Sequence, residues 1–411
     1  MKSFLQKKLE ILLAILARWT IAKYEPSVIG ITGSVGKTST KEALYAVLRN
    51  LRSVRASHGN LNNELGLPLT IIGDYDRGGG FWFYCGVILK ALFQLMRRRK
   101  YPEILILEYG IQKPGDMKYL LDIVKPSIAI FTALGETPVH VEYFSSPESL
   151  AREKAKLIEA VSAIGFAVFN KDDEMVASSL ERTRAHLMSF GFSSDADVRI
   201  TTFANLATEE HPFGISFKLN YAGNFVPVKF AGIFGKSHAY AASAASCVGL
   251  IFGSNLVRIA ESLSNHYNPA KHRMSLVSLQ KGAFAIDDSY NASPMSMRAA
   301  IEAVKELEAK RKIGVLGDMR ELGKYAIAAH ETMGEFAAGV FDILIGVGPL
   351  GKILAEAAKK IGKIAHDKVF VVEDAAGATA LLRDLLKSGD LVLVKASRAI
   401  GLDKLIDDLR I

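Results

Sequence analysis

The residues best able to do chemistry stand together early in the chain. Gly30 to Thr40 reads GITGSVGKTST. A glycine-rich loop between a strand and a helix turns backbone N–H groups and a helix N-terminus toward phosphate oxygens. Gly33, Ser34, Gly36, Lys37, Thr38 and Ser39 are therefore candidate nucleotide contacts. Lys37 reaches the outer phosphates, and the Thr38 hydroxyl is suited to Mg²⁺. The standard phosphate loop carries glycine five residues before Gly36, where this chain has Ile31. A plain glycine turn is the competing reading, but G-x-x-G-K-T-S after a strand favours nucleotide binding. The loop alone does not separate a kinase, a GTPase and a ligase.

Such a loop needs a strand before it and a helix after it. Residues 27–32 (SVIGIT) are β-rich, and residues 37–48 read as a helix. Residues 104–108 (ILILE) and 128–132 (IAIFT) read as buried parallel strands ending in polar residues. A helix over about 147–162 follows Ser146, a suitable N-cap, with Pro147 first and Glu148 in the first turn. Residues 167–170 form a further strand. This alternation predicts a doubly wound sheet with functional groups at the C-terminal strand ends. Residues 196–232 change to short alternating stretches (ISFKLNY, FVPVKF), an antiparallel excursion. Helices return at 237–253 and 256–264. A break at Asn268 and Pro269 precedes strands at 283–286, 312–316, 343–347, 369–372 and 391–395. The fold class read here is α/β. It has a P-loop-type central ATPase domain with a mainly parallel sheet over 27–268, and a Rossmann-like domain over 269–411.

The 411 residues carry 51 Lys+Arg against 43 Asp+Glu, a net charge of +8. With 49% hydrophobic and 23% charged residues, wholesale disorder is excluded. Two cysteines, Cys85 and Cys247, cannot build a disulfide framework, and no secretory cleavage pattern is seen, so a cytoplasmic setting is expected. The excess charge is local. Residues 1–24 hold Lys2, Lys7, Lys8, Arg18 and Lys23 against the single acid Glu10, and Arg97, Arg98, Arg99 and Lys100 follow an apolar stretch at 81–96. The rest of the chain is balanced, so no nucleic-acid partner is expected. In residues 4–21, Leu5, Leu9, Leu12, Leu16 and Trp19 recur at helical spacing. Neither stretch offers the roughly 20 apolar residues of a membrane span. Two readings stay open: peripheral attachment at the inner membrane face, or packing on protein.

The wider set of motifs resembles the Mur ligase superfamily, and within it the F-type ligases. GITGS-x-GKT resembles their ATP loop, and HGNLNNELGLP (58–68) their asparagine-rich signature. Glu108 in LEYG with Pro114-Gly115-Asp116, FTALGETPVHVEYF (131–144) and SPESLAREKAKLIEA (146–160) continue the likeness. IDDSYNASPMSMRAA (286–300), VLGDMRELG (315–323) with His330, and LVKASR (393–398) extend it to the end.

The resemblance implies an ATP- and Mg²⁺-dependent C–N ligase of peptidoglycan precursor synthesis. ATP phosphorylates a carboxylate on a UDP-MurNAc-peptide-like acceptor, and the amine of D-Ala-D-Ala attacks the acyl phosphate. It further implies that Thr38 and Glu108 hold one Mg²⁺ and His140 a second. Lys154 corresponds to a lysine carbamylated by carbon dioxide, whose oxygens also serve the metal. Arg273 corresponds to an arginine on the γ-phosphate, and Asp288 to an aspartate on the ribose. Asn60, Asn62, Asn63, Asn291, Asp318 and His330 fall in substrate-side segments. The bland readings are a capped strand end for Glu108, a loop histidine for His140 and a solvated surface lysine for Lys154.

Two departures stand out. Where the family's adenine-side element resembles G-x-H-N-x-x-N, residues 235–241 read GKSHAYA, with Ser237, His238 and Ala241 in place of His, Asn and Asn. His238 either takes part of the missing asparagine's role or only starts a helix. The family's sugar-nucleotide domain ordinarily precedes the ATP loop, whereas about 26 residues stand before Val28 here. Acceptor recognition is then expected to be altered or supplied elsewhere. The rival readings are a relative acting on another carboxylate, a lipid-linked one included, and a non-catalytic nucleotide-binding partner of cell-wall enzymes.

Overall fold

The computed structural model describes residues 4–59, 61–97, 99–208 and 212–411; Lys2, Asn60 and Arg98 lie outside the described residues. Two sheets organise the chain. The first takes β1 (Ser27–Thr32), β2 (Val54–Ala56), β3 (Ile104–Glu108), β4 (Ile128–Phe131), β5 (Phe166–Asn170), β6 (His186–Gly191), β7 (Val198–Ala207), β8 (Pro212–Tyr221) and β9 (Asn224–Ala231). Their order is β2-β3-β1-β4-β5-β6-β7-β8-β9. Pairing is parallel through β7 and antiparallel from β7 to β9. The helices are α1 (Phe4–Tyr24), α2 (Lys37–Leu48), α3 (Gly66–Ile72), α4 (Phe81–Met96), α5 (Asp116–Ile123), α6 (Pro147–Glu159), α7 (Glu174–Ser178), α8 (Lys236–Ile251) and α9 (Leu256–His266).

The central parallel strands β1, β3 and β4 are mostly apolar and buried, as a helix-covered sheet requires. β1 lies between β3 and β4, which belong to opposite directions of chain travel. The loops after these three strands therefore meet in the crevice beyond their C-terminal ends, the usual ligand position of such sheets.

The second sheet contains β10 (Ser275–Leu279), β11 (Ala283–Asp287), β12 (Arg311–Gly317), β13 (Ile343–Val347), β14 (Val369–Val372) and β15 (Asp390–Lys395), in the order β10-β11-β15-β12-β13-β14. All pairs are parallel except β10 with β11. Its helices are α10 (Pro294–Glu306), α11 (Ala326–Ala337), α12 (Gly348–Ile361), α13 (Ala375–Leu385) and α14 (Asp403–Leu409).

Three strands have no counterpart in the sequence reading. β2 has three residues, β6 (HLMSFG) lacks a continuous apolar run, and β10 is an edge strand. Each is defined by its neighbours more than by its own pattern. α6 stops at Glu159, three residues early, and carries a Ser146–Ser149 capping box.

The leucine stripe of α1 is divided. Leu16 is buried and Leu9 partly so, while Leu5, Leu12 and Trp19 point to solvent. Leu13 and Leu16 share a small core with Leu69, Ile72, Val87 and Ala91, which seats α1 on α3 and α4. Lys23 Nζ donates to the carbonyls of Gln94 and Leu95 (3.0 and 2.7 Å), tying the end of α1 to the end of α4. Among the described residues no helix is long and apolar enough to cross a membrane.

Candidate active site

The loop after β1 has the shape its glycines permit. Gly33 and Gly36 have φ of +139° and +92°. A Cβ on Gly33 would fall 2.0 Å from Thr132 Oγ1. That same hydroxyl donates to Val35 O at 2.6 Å, and Ser34 N donates to Ala133 O at 2.7 Å, so the loop after β4 clamps the loop after β1. Gly36 is the N-cap of α2 and offers no side-chain acceptor. The first-turn N–H groups of α2 are thus left for an anion.

Two lysines converge on one oxygen here. Lys37 Nζ donates to Gly33 O at 2.7 Å and Lys154 Nζ to the same atom at 3.1 Å. Lys154, on α6, is 1% exposed and so is not a solvated surface lysine. Burial, and then the charge of Lys37, hold its amine well below the ordinary lysine value. Burial also lowers Lys37, with Glu108 opposing. α6 is fixed by Glu153, which accepts from Gly115 N and Met117 N (3.0 and 3.2 Å).

Glu108, at the end of β3, is buried, and its Oε1 has no hydrogen-bond partner among the described residues. Lys41 Nζ stands 3.6 Å from it. An orphaned carboxylate oxygen beside Thr38 in one cavity fits a hard divalent cation, which prefers oxygen donors. No group of three or more His, Cys, Asp or Glu side chains that could hold a metal exists among the described residues. A Mg²⁺ here would rely on one carboxylate, the threonine and substrate phosphates, which is its usual habit.

His140 follows β4 in a left-handed conformation (φ +73°), and Glu321, after β12, is also left-handed (φ +64°). His140 Nδ1 lies 2.5 Å from Glu321 Oε2, and this contact holds the Glu321 carboxyl below its ordinary value. The pair joins the two sheets across the cleft. Lys37, Thr38, Glu108, His140, Lys154, Arg273, Asn62, Asn63 and Asn291 all line one cavity of about 480 Å³. Arg273 lies 4.1 Å above the Tyr290 ring, and its Nε is buried without a hydrogen-bond partner among the described residues.

A second cavity of about 340 Å³ adjoins on the other side of the loop. Gly36, Ser39, Ser237, Ala241, Asp288 and Lys395 are in its wall, with the aromatic rings of Phe190 and Tyr240. Asp288 and Lys395 form a buried ion pair, and Lys395 Nζ also donates to Asn291 O at 3.0 Å. Burial raises the Asp288 carboxyl while Lys395 opposes it. Met274 N donates to Asp288 Oδ1 at 3.3 Å.

His238 is in neither wall. It is fully buried at the start of α8, its Nε2 donating to Arg273 O (3.1 Å) and its Nδ1 accepting from Tyr267 Oη (2.7 Å). Its ring holds the Arg273 backbone, and burial lowers its pKa to about 4. His330 is likewise buried away from both cavities, accepting from Met319 N (2.8 Å) and donating to Ala326 O (2.6 Å). Asp318 accepts from Leu350 N and Gly351 N (both 2.9 Å), which ties its loop to the start of α12. Asn63 Oδ1 accepts from Gly66 N (2.9 Å) just before α3, and Asn62 packs on Gly110. Asn60 lies outside the described residues.

Several wall residues were not singled out from sequence: Lys395, Tyr290, Tyr240 and Phe190. Lys395, Tyr290 and Tyr240 stood inside segments already singled out (LVKASR, IDDSYNASP and GKSHAYA), whereas Phe190 carried no signal.

The chain is similar to known proteins in both sequence and fold. The Mur ligase middle domain matches residues 31–80 and 87–249, and the Mur ligase glutamate ligase domain matches residues 272–398. UDP-N-acetylmuramoyl-tripeptide–D-alanyl-D-alanine ligase of Mycobacterium tuberculosis is 33% identical over 401 residues, covering 93% of this chain and 72% of that protein. The ligase of that name from Bacillus subtilis is 29% identical, covering 96% and 78%. The crystal structure of MurF from Acinetobacter baumannii superposes with a TM-score of 0.78 at 26% identity, over 97% of this chain and 80% of that one. MurF from Thermotoga maritima in complex with ADP gives 0.76 at 26%, over 97% and 82%. With the middle-domain match alone spanning more than half of its residues, the chain belongs to the Mur ligase family.

Proposed function

We propose that this Mur ligase adds D-alanyl-D-alanine to a UDP-N-acetylmuramoyl tripeptide, using ATP and forming an acyl phosphate on the way. Family membership makes it an ATP-dependent ligase; the acceptor and amine are those named for its relatives. The observation that carries the reading is the convergence of Lys37 and Lys154 on Gly33 O, in one cavity with the orphaned Glu108 oxygen and Arg273.

The reading divides the chain into a helix at 1–26, a nucleotide-binding domain over 27–268 with an apolar and basic insertion at 78–101, and a C-terminal domain over 269–411. Nucleotide phosphates lie along Gly33, Ser34, Gly36, Lys37, Thr38 and Ser39, with the adenosine in the second cavity and its ribose near Asp288. Carboxylate and phosphate are both anionic, so Lys37 and Arg273 screen their approach. Thr38, Glu108, His140 and a carbamylated Lys154 would hold Mg²⁺, which supplies further charge neutralisation at the phosphates. The lowered basicity of Lys154 supports carbamylation, because only the neutral amine attacks carbon dioxide. Asn62 and Asn291 face the acceptor, while Asn63, Asp318, His330 and His238 keep the walls in position.

A second acceptor chemistry, a different carboxylate, is favoured by Gln6 and Glu10 of α1, which also line the phosphate-side cavity. The apolar and basic helices α1 and α4 support peripheral attachment at a membrane surface.

Purified protein with ATP, Mg²⁺, UDP-MurNAc-tripeptide and D-Ala-D-Ala should yield the pentapeptide, with phosphate release requiring both substrates. Turnover on another carboxylate with none on the tripeptide would sink the narrower assignment.

A further inference from the structure

We infer that α1 and α4 together form a docking face for an anionic lipid bilayer, which deepens the peripheral attachment proposed above and rests on it. Both helices are apolar inside and outside. Leu13 and Leu16 of α1, and Val87 and Ala91 of α4, fill the small core between them. The outward side chains include large apolar ones: Phe4, Leu5 and Trp19 on α1, and Phe81, Trp82 and Leu89 on α4. Phe4 is 73%, Trp19 56% and Trp82 83% exposed. A soluble surface seldom displays so many large rings on two neighbouring helices.

Charge selects the occupant. α1 places Lys7, Lys8 and Arg18 outward, and its one acid, Glu10, is buried beside the cavity. α4 contains no acid and runs into Arg97, Arg99 and Lys100. Asp74 and Asp76 stand in the loop before α4, where Asp74 is taken up by His58 at 2.7 Å. A second copy of this chain would bring like charges together, whereas anionic headgroups meet the cations while the rings enter the acyl boundary. Lys8 over Phe4 (4.4 Å) and Arg99 over Phe93 (4.3 Å) already show cation and ring side by side, as at a headgroup interface. Since no described helix is able to span, the helices lie on the bilayer. Gln6 and Glu10 line the cavity from this same α1, so the docked face and the acceptor side of the site share a helix.

The test is co-sedimentation of the full chain with phosphatidylglycerol-rich vesicles and with pure phosphatidylcholine vesicles. Binding should be roughly tenfold or more stronger to the anionic vesicles and should weaken at high salt. Two variants should each lower it by roughly tenfold with nucleotide affinity unchanged: Phe81→Ser/Trp82→Ser/Leu89→Ser, and Arg97→Gln/Arg99→Gln/Lys100→Gln. Equal or absent binding to the two vesicle types would overturn the proposal. So would variants that convert a dimer to a monomer in light scattering while vesicle binding is unchanged. Vesicle binding is read without turnover, so failure to form the peptide product counts against the ligase reading instead.

Discussion

Lys154 and Lys395 are each 1% exposed, yet they sit in opposite surroundings. Lys395 faces the Asp288 carboxylate and the Asn291 carbonyl. Among the described residues Lys154 has only the Gly33 carbonyl, which it shares with a second lysine. Removing an ammonium from water costs on the order of several kcal/mol unless a partner offsets it. Burial lowers both amines below the ordinary lysine value; at Lys395 the Asp288 carboxylate opposes that shift, whereas at Lys154 the charge of Lys37 adds to it. Burial and residue type are the same at both sites, so the neighbours alone decide the chemistry.

Substitutions can break or sharpen this contrast. The largest effect is expected from Lys37→Ala, which removes the cation proposed to meet the outer phosphates. Steady-state turnover should fall roughly 10⁴-fold, about 5 kcal/mol, and near-normal turnover would refute the phosphate role. Lys154→Ala should reduce turnover roughly 10³-fold. In the parent protein, ¹³C-labelled carbon dioxide should give a carbamate carbonyl resonance that this variant lacks. A silent spectrum from the active parent would remove the chemical distinction between the two lysines.

His238 is a third buried base, kept neutral by burial, with both ring nitrogens hydrogen-bonded. Its native pKa of about 4 lies below the ordinary 6.5. As pH falls, the unfolded chain takes up this proton first, so the contribution is complete above pH 6.5 and is lost progressively toward pH 4. The loss amounts to about 3 kcal/mol. His238→Gln should flatten that acid limb in urea unfolding at pH 7 and pH 5, and an unchanged limb would show that the ring does not titrate as argued.

The smallest pair of effects is the most direct comparison. In carbon-dioxide-free buffer, Lys395→Met should destabilise by about 3 kcal/mol, because it leaves the buried Asp288 carboxyl without its paired cation. Lys154→Met should be neutral or stabilising by about 1 kcal/mol, because it removes an uncompensated amine. Thermal melts giving the same sign at both sites would dissolve the contrast.

The phosphate loop was readable because its geometry is local. The strand before it and the helix after it have the bounds that 27–32 and 37–48 suggest. The burial of Lys154 was obscured by its charged sequence neighbours Arg152, Glu153 and Lys156. The informative neighbours are those three and four residues away, Leu150, Ala151, Leu157 and Ile158, all buried. The Asp288–Lys395 pair was out of reach in another way. Its members are 107 residues apart, and only the pairing of β11 with β15 brings them together. The exclusion of His238 and His330 from both cavities also depends on partners from other elements, Tyr267 and Met319 among them.

Val35, Arg273 and Ser296 belong to the walls of both cavities. The two sites therefore have no independent boundary, and the occupant of one sets the surface that the other occupant meets. Binding equilibria linked in this manner obey reciprocity. By whatever factor a nucleotide tightens the hold on the acceptor, the acceptor tightens the hold on the nucleotide.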